Sequence, residues 1–462
     1  MLLIDVCIIM IVIVMLSYTI RHYRFFWNRM FEKQKSCRDE LAGSYKPSVS
    51  ILVPAHNEEK VLHSVLDRLV ESDYPKENGN YELIVINDQS TDQTGTIADS
   101  YAEKYHFVKV VHRSPNSGSG KPEALNVAFP FASNEIVLCF DSDYQPPKDC
   151  VTRLVAPFSD VEIGAVMGRV VPMNTPESYL TRMMDLERSG GYQVDQQARY
   201  NLDLLPQFGG TVGGFRRSAL KAVGGWDPTM LAEDTDLTYK VFLRGWKVGY
   251  VNLAECYEEA VSSWDQKHRQ LRRWAIGHNQ CLFKHFSETL TTPVLNWKQK
   301  LDGALLLGVY VAPVLMIIGW ILGIISYLFA APWWSPFFPA LLFTLSYNNV
   351  GNFAVFNEVG GSIFLDKRGR SMWLLPLAFF NFFGYVLICT TAFFDSVFLQ
   401  AGTWKKTKRS GTGNHHYNNL VNNNNHNNGN NKNRWDKTKR NGNGIRYYNN
   451  HPNHKNGGGT EP

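Results

Sequence analysis

Residues 2–20 (LLIDVCIIMIVIVMLSYTI) are apolar apart from Asp5. A bilayer core takes about 20 such residues as a helix. Arg21, His22 and Arg24 follow at once. A cleaved signal peptide carries positive charge before its apolar run and a small-residue cleavage site after it. Neither pattern is present, so residues 1–24 read as a membrane anchor. The positive-inside rule then places the chain after residue 20 in the cytoplasm. Apolar runs return at 303–331 and 372–400, and a weaker one at 337–357 contains Asn348, Asn349 and Asn352. Core helices are rarely this long and this free of charge. The expectation is a multi-pass plasma-membrane protein with a transmembrane region over 303–400. Residues 286–302 precede it, and Leu295–Asp302 there mixes Trp with Lys as an interfacial segment does.

The basic clusters at 366–370 (DKRGR) and 405–409 (KKTKR) should both be cytoplasmic. Two full spans at 303–331 and 337–357 satisfy the first cluster. A full span at 372–400 then puts the second outside. Either 372–400 breaks or re-enters near Pro376 and Gly384, or 337–357 does not cross, or the tail is outside. A cytoplasmic tail is the favoured expectation. Residues 405–462 are rich in Asn, His, Gly and Lys with few aliphatic side chains. Such a segment cannot bury enough apolar surface to fold.

Residues 48–285 read as globular. Strand-like apolar runs fall at Ser48–Val53, Glu82–Ile86, Val108–His112, Ile136–Phe140 and Ala165–Val171, with helical stretches such as Glu59–Glu71 and Asp92–Tyr105 between the early ones. This alternation predicts an α/β domain with a mostly parallel sheet. The net charge of +5 carries no basic stripe interleaved with aromatics, which argues against nucleic acid. None of the seven cysteines forms a C-x-x-C pair, so they read as reduced thiols, not a zinc site.

Five clusters in this domain carry chemistry. Pro54-Ala55-His56-Asn57-Glu58 follows the first strand, where ligands bind in open parallel sheets. Asn57 and Glu58 could hydrogen-bond a base or ribose, or Asn57 could cap a helix. Asp88 sits at the second strand's tip as a turn residue or ligand contact, and Asp92 reads as a helix cap. Asp141-Ser142-Asp143 follows the strand ending at Phe140. Paired carboxylates there are costly unless a cation binds, and their oxygens suit Mg²⁺ or Mn²⁺. Lys121, in Ser119-Gly120-Lys121-Pro122, fails the phosphate-loop pattern because Pro115 and Pro122 stand at required Gly and Ser/Thr positions. It can still meet a phosphate as a point charge.

The fourth cluster runs from Gly209 to Arg217, where glycines allow backbone to approach a ligand, and on to Glu233-Asp234. These acids open a helical stretch, as caps or, for Asp234, as a general base. The fifth is Gln270-Leu271-Arg272-Arg273-Trp274. On a helix Gln270, Arg273 and Trp274 share a face, offering hydrogen bonds, a guanidinium for phosphate and a flat surface for a sugar ring.

In this order the clusters resemble those of inverting family 2 glycosyltransferases of the GT-A fold. The nearest likeness is to membrane-integrated processive synthases of cellulose, hyaluronan and poly-β-1,6-N-acetylglucosamine. The resemblance covers about residues 48–285 and implies roles. Asp88 would contact the nucleotide. Asp141 and Asp143 would hold nucleotide and divalent metal, with Asp143 the more direct ligand. Lys121, Asn57 and Glu58 would lie at the donor, and Asp234 would be the base. Glu233, Gln270, Arg273 and Trp274 would serve pyrophosphate and acceptor. Trp404-Lys405-Lys406-Thr407-Lys408-Arg409 is similar to the ending of the poly-N-acetylglucosamine branch. Where the family often has Asp-Asp-Gly, this chain has Asn87-Asp88-Gln89. Nothing resembles the cyclic-nucleotide-binding domain of the cellulose branch, which counts against cellulose.

The resemblance implies transfer from a UDP-sugar, N-acetylglucosamine or glucose, onto a growing polysaccharide, with export through the spans and room for an accessory membrane subunit. Two alternatives stay open: a non-processive transferase acting on a lipid or polyprenyl phosphate, and a catalytically silent assembly subunit.

Overall fold

The computed structural model describes residues 2–114, 118, 120–329, 337, 340–342, 344 and 356–398. The expectations for the Asn-rich tail, the Trp404 motif and most of 337–357 lie outside the described residues.

Seven strands form one sheet: β1 Val49–Ala55, β2 Tyr81–Asn87, β3 Val108–His112, β4 Ile136–Cys139, β5 Ile163–Pro172, β6 Gly213–Arg216 and β7 Lys247–Glu258. Their order is β3-β2-β1-β4-β6-β5-β7. β3, β2, β1 and β4 are mutually parallel, and so are β5 and β7, while β6 runs antiparallel between β4 and β5. The strands expected from the apolar runs are present. β6 was hidden in the glycine-rich cluster, because two of its glycines are strand residues. A Cβ on Gly214 would lie 2.0 Å from the Val137 carbonyl oxygen, so only glycine lets β6 sit this close to β4.

Helices cover both faces. On one face Leu62, Val65, Leu66 and Leu69 of α2 (Leu62–Val70) join Ala98 of α3 (Thr94–Lys104) and Leu154 of α5 (Cys150–Val155) in one core. On the other, α4 (Lys121–Ala128), α8 (Arg217–Ala222) and α9 (Glu233–Leu243) pack with Cys281 of α10 (Trp264–Thr291). The spacing of these apolar residues at three and four buries one stripe of each helix. Gly277 of α10 packs so tightly on the Leu231–Ala232 loop that a Cβ there would lie 2.5 Å from the Ala232 amide nitrogen. Asp236 of α9, fully buried, takes His285 Nε2 at 2.8 Å and Lys284 Nζ at 2.7 Å from α10. α9 and α10, which carry two of the expected clusters, are thus fixed to each other.

α1 (Leu2–Phe31) is longer than the expected anchor and continues into the domain. Among the described residues it is the one single helix long and apolar enough to cross a bilayer. Arg21 Nε meets Asp302 Oδ1 at 2.7 Å, and Asp302 Oδ2 meets Arg199 Nη1 at 3.2 Å. Asp302 therefore joins α1 and α7 (Gln197–Asn201) to its own helix α11 (Trp297–Leu307).

The expected spans need correction. Residues 303–331 do not form one straight helix: α11 ends at Leu307, and α12 (Ala312–Leu328) leaves it at 76°. Asp302 and Gly303, buried against the domain, hold α11 there, while Met316 of α12 packs with Ile8, Ile11 and Met15 of α1. The chain is back at the domain in α13 (Phe356–Leu365), where Glu358 meets His22 at 2.9 Å. Asp366 then pairs with Arg169 at 2.7 Å and accepts from Gln193 Nε2 at 2.7 Å, so the basic 366–370 segment docks on the α/β domain. α14 (Leu375–Phe398) packs along α10. Tyr385 donates to Glu187, and Asp395 pairs with Arg272 at 2.6 Å. α14 is thus held to the domain at two polar contacts, Glu187 and Arg272.

Candidate active site

β1, β2 and β4 are parallel and end at one edge of the sheet, where the chain turns through Glu58, Asp88 and Asp141–Asp143. These residues line a cavity of about 320 Å³ with Lys121, Glu233, Asp234, Gln270, Arg273 and Trp274. Five clusters scattered over more than 200 residues therefore meet in one space.

Asn57 is the exception. It lies outside the cavity wall, with its backbone at φ 52°, and its side-chain oxygen accepts from the Thr91 amide at 2.8 Å. In this position Asn57 shapes the loop between β1 and α2. Asp92 accepts from the Thr94 amide at 3.0 Å, the helix-start role expected of it. Asp88 is buried and paired with Arg113, a partner the sequence did not disclose.

Asp141 and Asp143 face the cavity from the turn after β4. Lys121 Nζ is 2.6 Å from Asp141 Oδ1, 2.8 Å from the Gly210 carbonyl and 3.9 Å from Glu233 Oε1. Burial would lower the Lys121 pKa, but the charges of Asp141 and Glu233 outweigh it and raise it, so the lysine stays an ammonium. Gly209, Gly210 and Thr211 do line the cavity, as expected of the glycine cluster, whereas Gly213 and Gly214 belong to β6.

Glu233 and Asp234 begin α9. Asp234 Oδ1 accepts from the Thr235 amide at 2.7 Å. Burial raises the pKa of both carboxyls, and the adjacent Asp234 charge adds to the rise at Glu233, which is pushed up to about 7. The Thr235 amide and the charges of Lys121 and Arg273 oppose the rise at Asp234. A carboxylate made more basic by burial is suited to accept a proton.

Gln270, Arg273 and Trp274 lie on α10 on the same wall, as the helical spacing predicted. The sequence did not single out Arg188, Tyr192, Asp195 or Arg199, which also line the cavity. They come from α6 (Tyr179–Ser189), from a π-helical turn at Gly190–Gln196 and from α7. Such turns often sit at functional sites. The available signal was a run of charged residues in a helix that the sheet pattern did not require.

Asp141 and Asp143, two residues apart on the turn after β4, both line the cavity and offer the oxygen ligands that Mg²⁺ or Mn²⁺ takes. Among the described residues, His22, Asp195 and Glu358 form a group whose ligand atoms lie within 4.8 Å of one another. Arg21 lies 4.0 Å from Asp195, and Arg199 pairs with Asp195 as well, so charge is already balanced there by protein groups.

A mixed, mostly parallel sheet with acids at its strand tips is the GT-A glycosyltransferase fold, and residues 50–224 match the family described as Glycosyl transferase family 2. Residues 50–224 are thus similar to a family 2 glycosyltransferase domain, and this part of the chain is an enzyme domain. It is 36% identical over 270 residues to "Probable glycosyltransferase YdaM" of Bacillus subtilis, covering 58% of this chain and 62% of that one. It is 34% identical to "Beta-monoglucosyldiacylglycerol synthase" of Nostoc, covering 54% of this chain and 53% of that one. It is 28% identical to "Poly-beta-1,6-N-acetyl-D-glucosamine synthase" of Staphylococcus aureus, covering 55% and 59%. The chain thus spans between half and two thirds of these relatives' lengths. The structure of a Pyrobaculum calidifontis mannosyltransferase in complex with GDP-Man and Mn²⁺ shares the fold at TM-score 0.57 and 20% identity, over 86% of this chain and 100% of that one. The family match ends at residue 224, before Glu233–Asp234 and Gln270–Trp274.

Proposed function

We propose that this chain is an inverting glycosyltransferase that moves a sugar from a nucleotide diphosphate donor to a hydroxyl presented at the membrane surface. The observation that carries this reading is the shared cavity, with Asp88, Asp141 and Asp143 at the strand tips, Glu233 and Asp234 at a helix start, and Gln270, Arg273 and Trp274 on one helix face. Asp234 takes the proton from the acceptor hydroxyl. The freed oxygen bonds to the anomeric carbon as the bond from that carbon to the diphosphate breaks, and the nucleotide diphosphate leaves with the electron pair. Lys121 and Arg273 face the departing charge. A divalent ion on Asp143 and Asp141 would neutralise the diphosphate further. Positioning and electrostatics do most of the work.

UDP-N-acetylglucosamine and UDP-glucose are the proposed donors. For the acceptor, a growing polysaccharide is supported by the Gln270-x-x-Arg273-Trp274 face and by the likeness to the staphylococcal synthase. A lipid hydroxyl is supported by a specific feature of the cavity. Its wall includes Leu306, Val309 and Tyr310, at the bend between α11 and α12 beside the anchor. Membranes containing the chain, given a panel of radiolabelled nucleotide sugars, decide the matter. Label in the organic phase is a glycolipid, label in a high-molecular-weight aqueous product is a polymer, and no transfer from any donor overturns the proposal.

A further inference from the structure

We infer that Arg188 is a positioning residue that fixes the Trp274 ring as the acceptor platform, and that Tyr144 and Glu258 connect this platform to the Asp141–Asp143 turn. The inference rests on the proposed function, because it takes Trp274 to face the acceptor.

The guanidinium carbon of Arg188 lies 5.3 Å from the Trp274 ring centroid, within cation–π range. Arg188 Nε donates to Glu258 Oε1 at 2.8 Å, and Nη2 donates to Oε2 at 3.4 Å. Glu258 is 3% exposed and also accepts from the Tyr144 hydroxyl at 2.8 Å. Tyr144 directly follows Asp143 in sequence. The backbones beside these residues are locked as well. The Gln145 amide donates to the Tyr257 carbonyl at 2.9 Å, and the Tyr257 amide donates back at 3.2 Å. An unbroken path therefore runs from the Asp143 turn through Tyr144, the end of β7 and α6 to the indole on α10. Asp143, Tyr144, Glu258, Arg188 and Trp274 all line the same cavity.

The chemistry explains why arginine stands here. Its planar guanidinium can stack on a ring while its edge holds a carboxylate, and a lysine ammonium cannot do both in a fixed plane. With one face of the indole braced by Arg188, the rotamer of Trp274 is restricted, which an acceptor sugar stacking on it requires. A loose platform would raise the acceptor KM and slow transfer without altering nucleotide contacts.

The test uses the full-length chain in membranes. Donor and acceptor KM and kcat are measured for wild type, R188K, R188A and Y144F, with nucleotide diphosphate affinity measured separately. Arg188→Lys and Arg188→Ala are expected to raise acceptor KM about five- to thirtyfold, Tyr144→Phe less, with nucleotide affinity within twofold of wild type. Arg188→Lys and Tyr144→Phe keep size and, at 188, charge, so they report if Arg188→Ala does not fold. An R188K enzyme with wild-type acceptor KM overturns the inference. So does a loss of nucleotide affinity equal to the loss for acceptor, which would mark a purely structural role. Absence of transfer by wild type instead overturns the function on which the inference rests.

Discussion

The ammonium of Lys121 lies 2.6 Å from a carboxylate oxygen of Asp141. The same ammonium is 3.9 Å from Glu233, so one cation electrically joins the strand-tip acids to the acids of α9.

Replacing Lys121 with Met should therefore disturb both ends of the site. Asp141 loses its counter-charge, and the lowering influence of Lys121 on Glu233 and Asp234 disappears. Activity should fall about 10²-fold, the scale of losing one preorganised charge-stabilising group. The acid limb of the pH–rate profile should move to higher pH. An unmoved limb would mean that Lys121 and the α9 acids are not coupled.

Asp234→Asn should retain nucleotide binding, read by calorimetry, and lose about 10²–10⁴-fold in transfer. In the wild type, transfer should decline as pH falls below about 7, where the Glu233–Asp234 pair gains a proton. Normal turnover by the Asn variant would reduce Asp234 to a helix cap.

Glu233 also predicts a stability effect whose sign is fixed. Its folded pKa is raised from 4.5 to about 7 by burial and then by Asp234. The folded state holds more protons in that window, so this contribution is full below pH 4.5 and is lost as pH rises through about 7. Melting temperatures of wild type and Glu233→Gln, measured in detergent across this range, should diverge, with wild type losing ground as pH rises. Parallel curves would contradict it.

Asp143→Ala should abolish turnover and its dependence on Mg²⁺ or Mn²⁺ together. Wild type assayed in excess chelator should be inactive and recover on metal addition. Full activity in chelator would exclude metal at this turn.

Asp395 near the end of α14 pairs with Arg272 of the domain, which supports the expectation of a tail on the domain's side of the membrane. A cysteine introduced at residue 430 in a Cys7→Ala background should resist an impermeant thiol reagent on intact cells and react after permeabilisation. Labelling of intact cells would put the tail outside and make α14 a crossing helix.

The sequence determined the parts of this protein that depend on neighbours along the chain. Apolar runs of four to ten residues set β1 to β5, and the acids just beyond β1, β2 and β4 had to share an edge once those strands were parallel. Helical spacing alone put Gln270, Arg273 and Trp274 on one face. The tertiary structure decided what depends on partners far apart. β6 carries no apolar run of its own and is a strand only because β4 and β5 flank it and its glycines fit between them. Arg113 and Glu258 look like ordinary surface charges until the fold buries them against partners 25 to 114 residues away. Residues 303–331 and 372–400 read from the sequence as apolar spans. Only the folded structure shows that the first run bends by 76° after α11, whose Asp302 pairs with Arg21 and Arg199, and that the second packs on α10, with Asp395 paired to Arg272, because those partners lie far away along the chain.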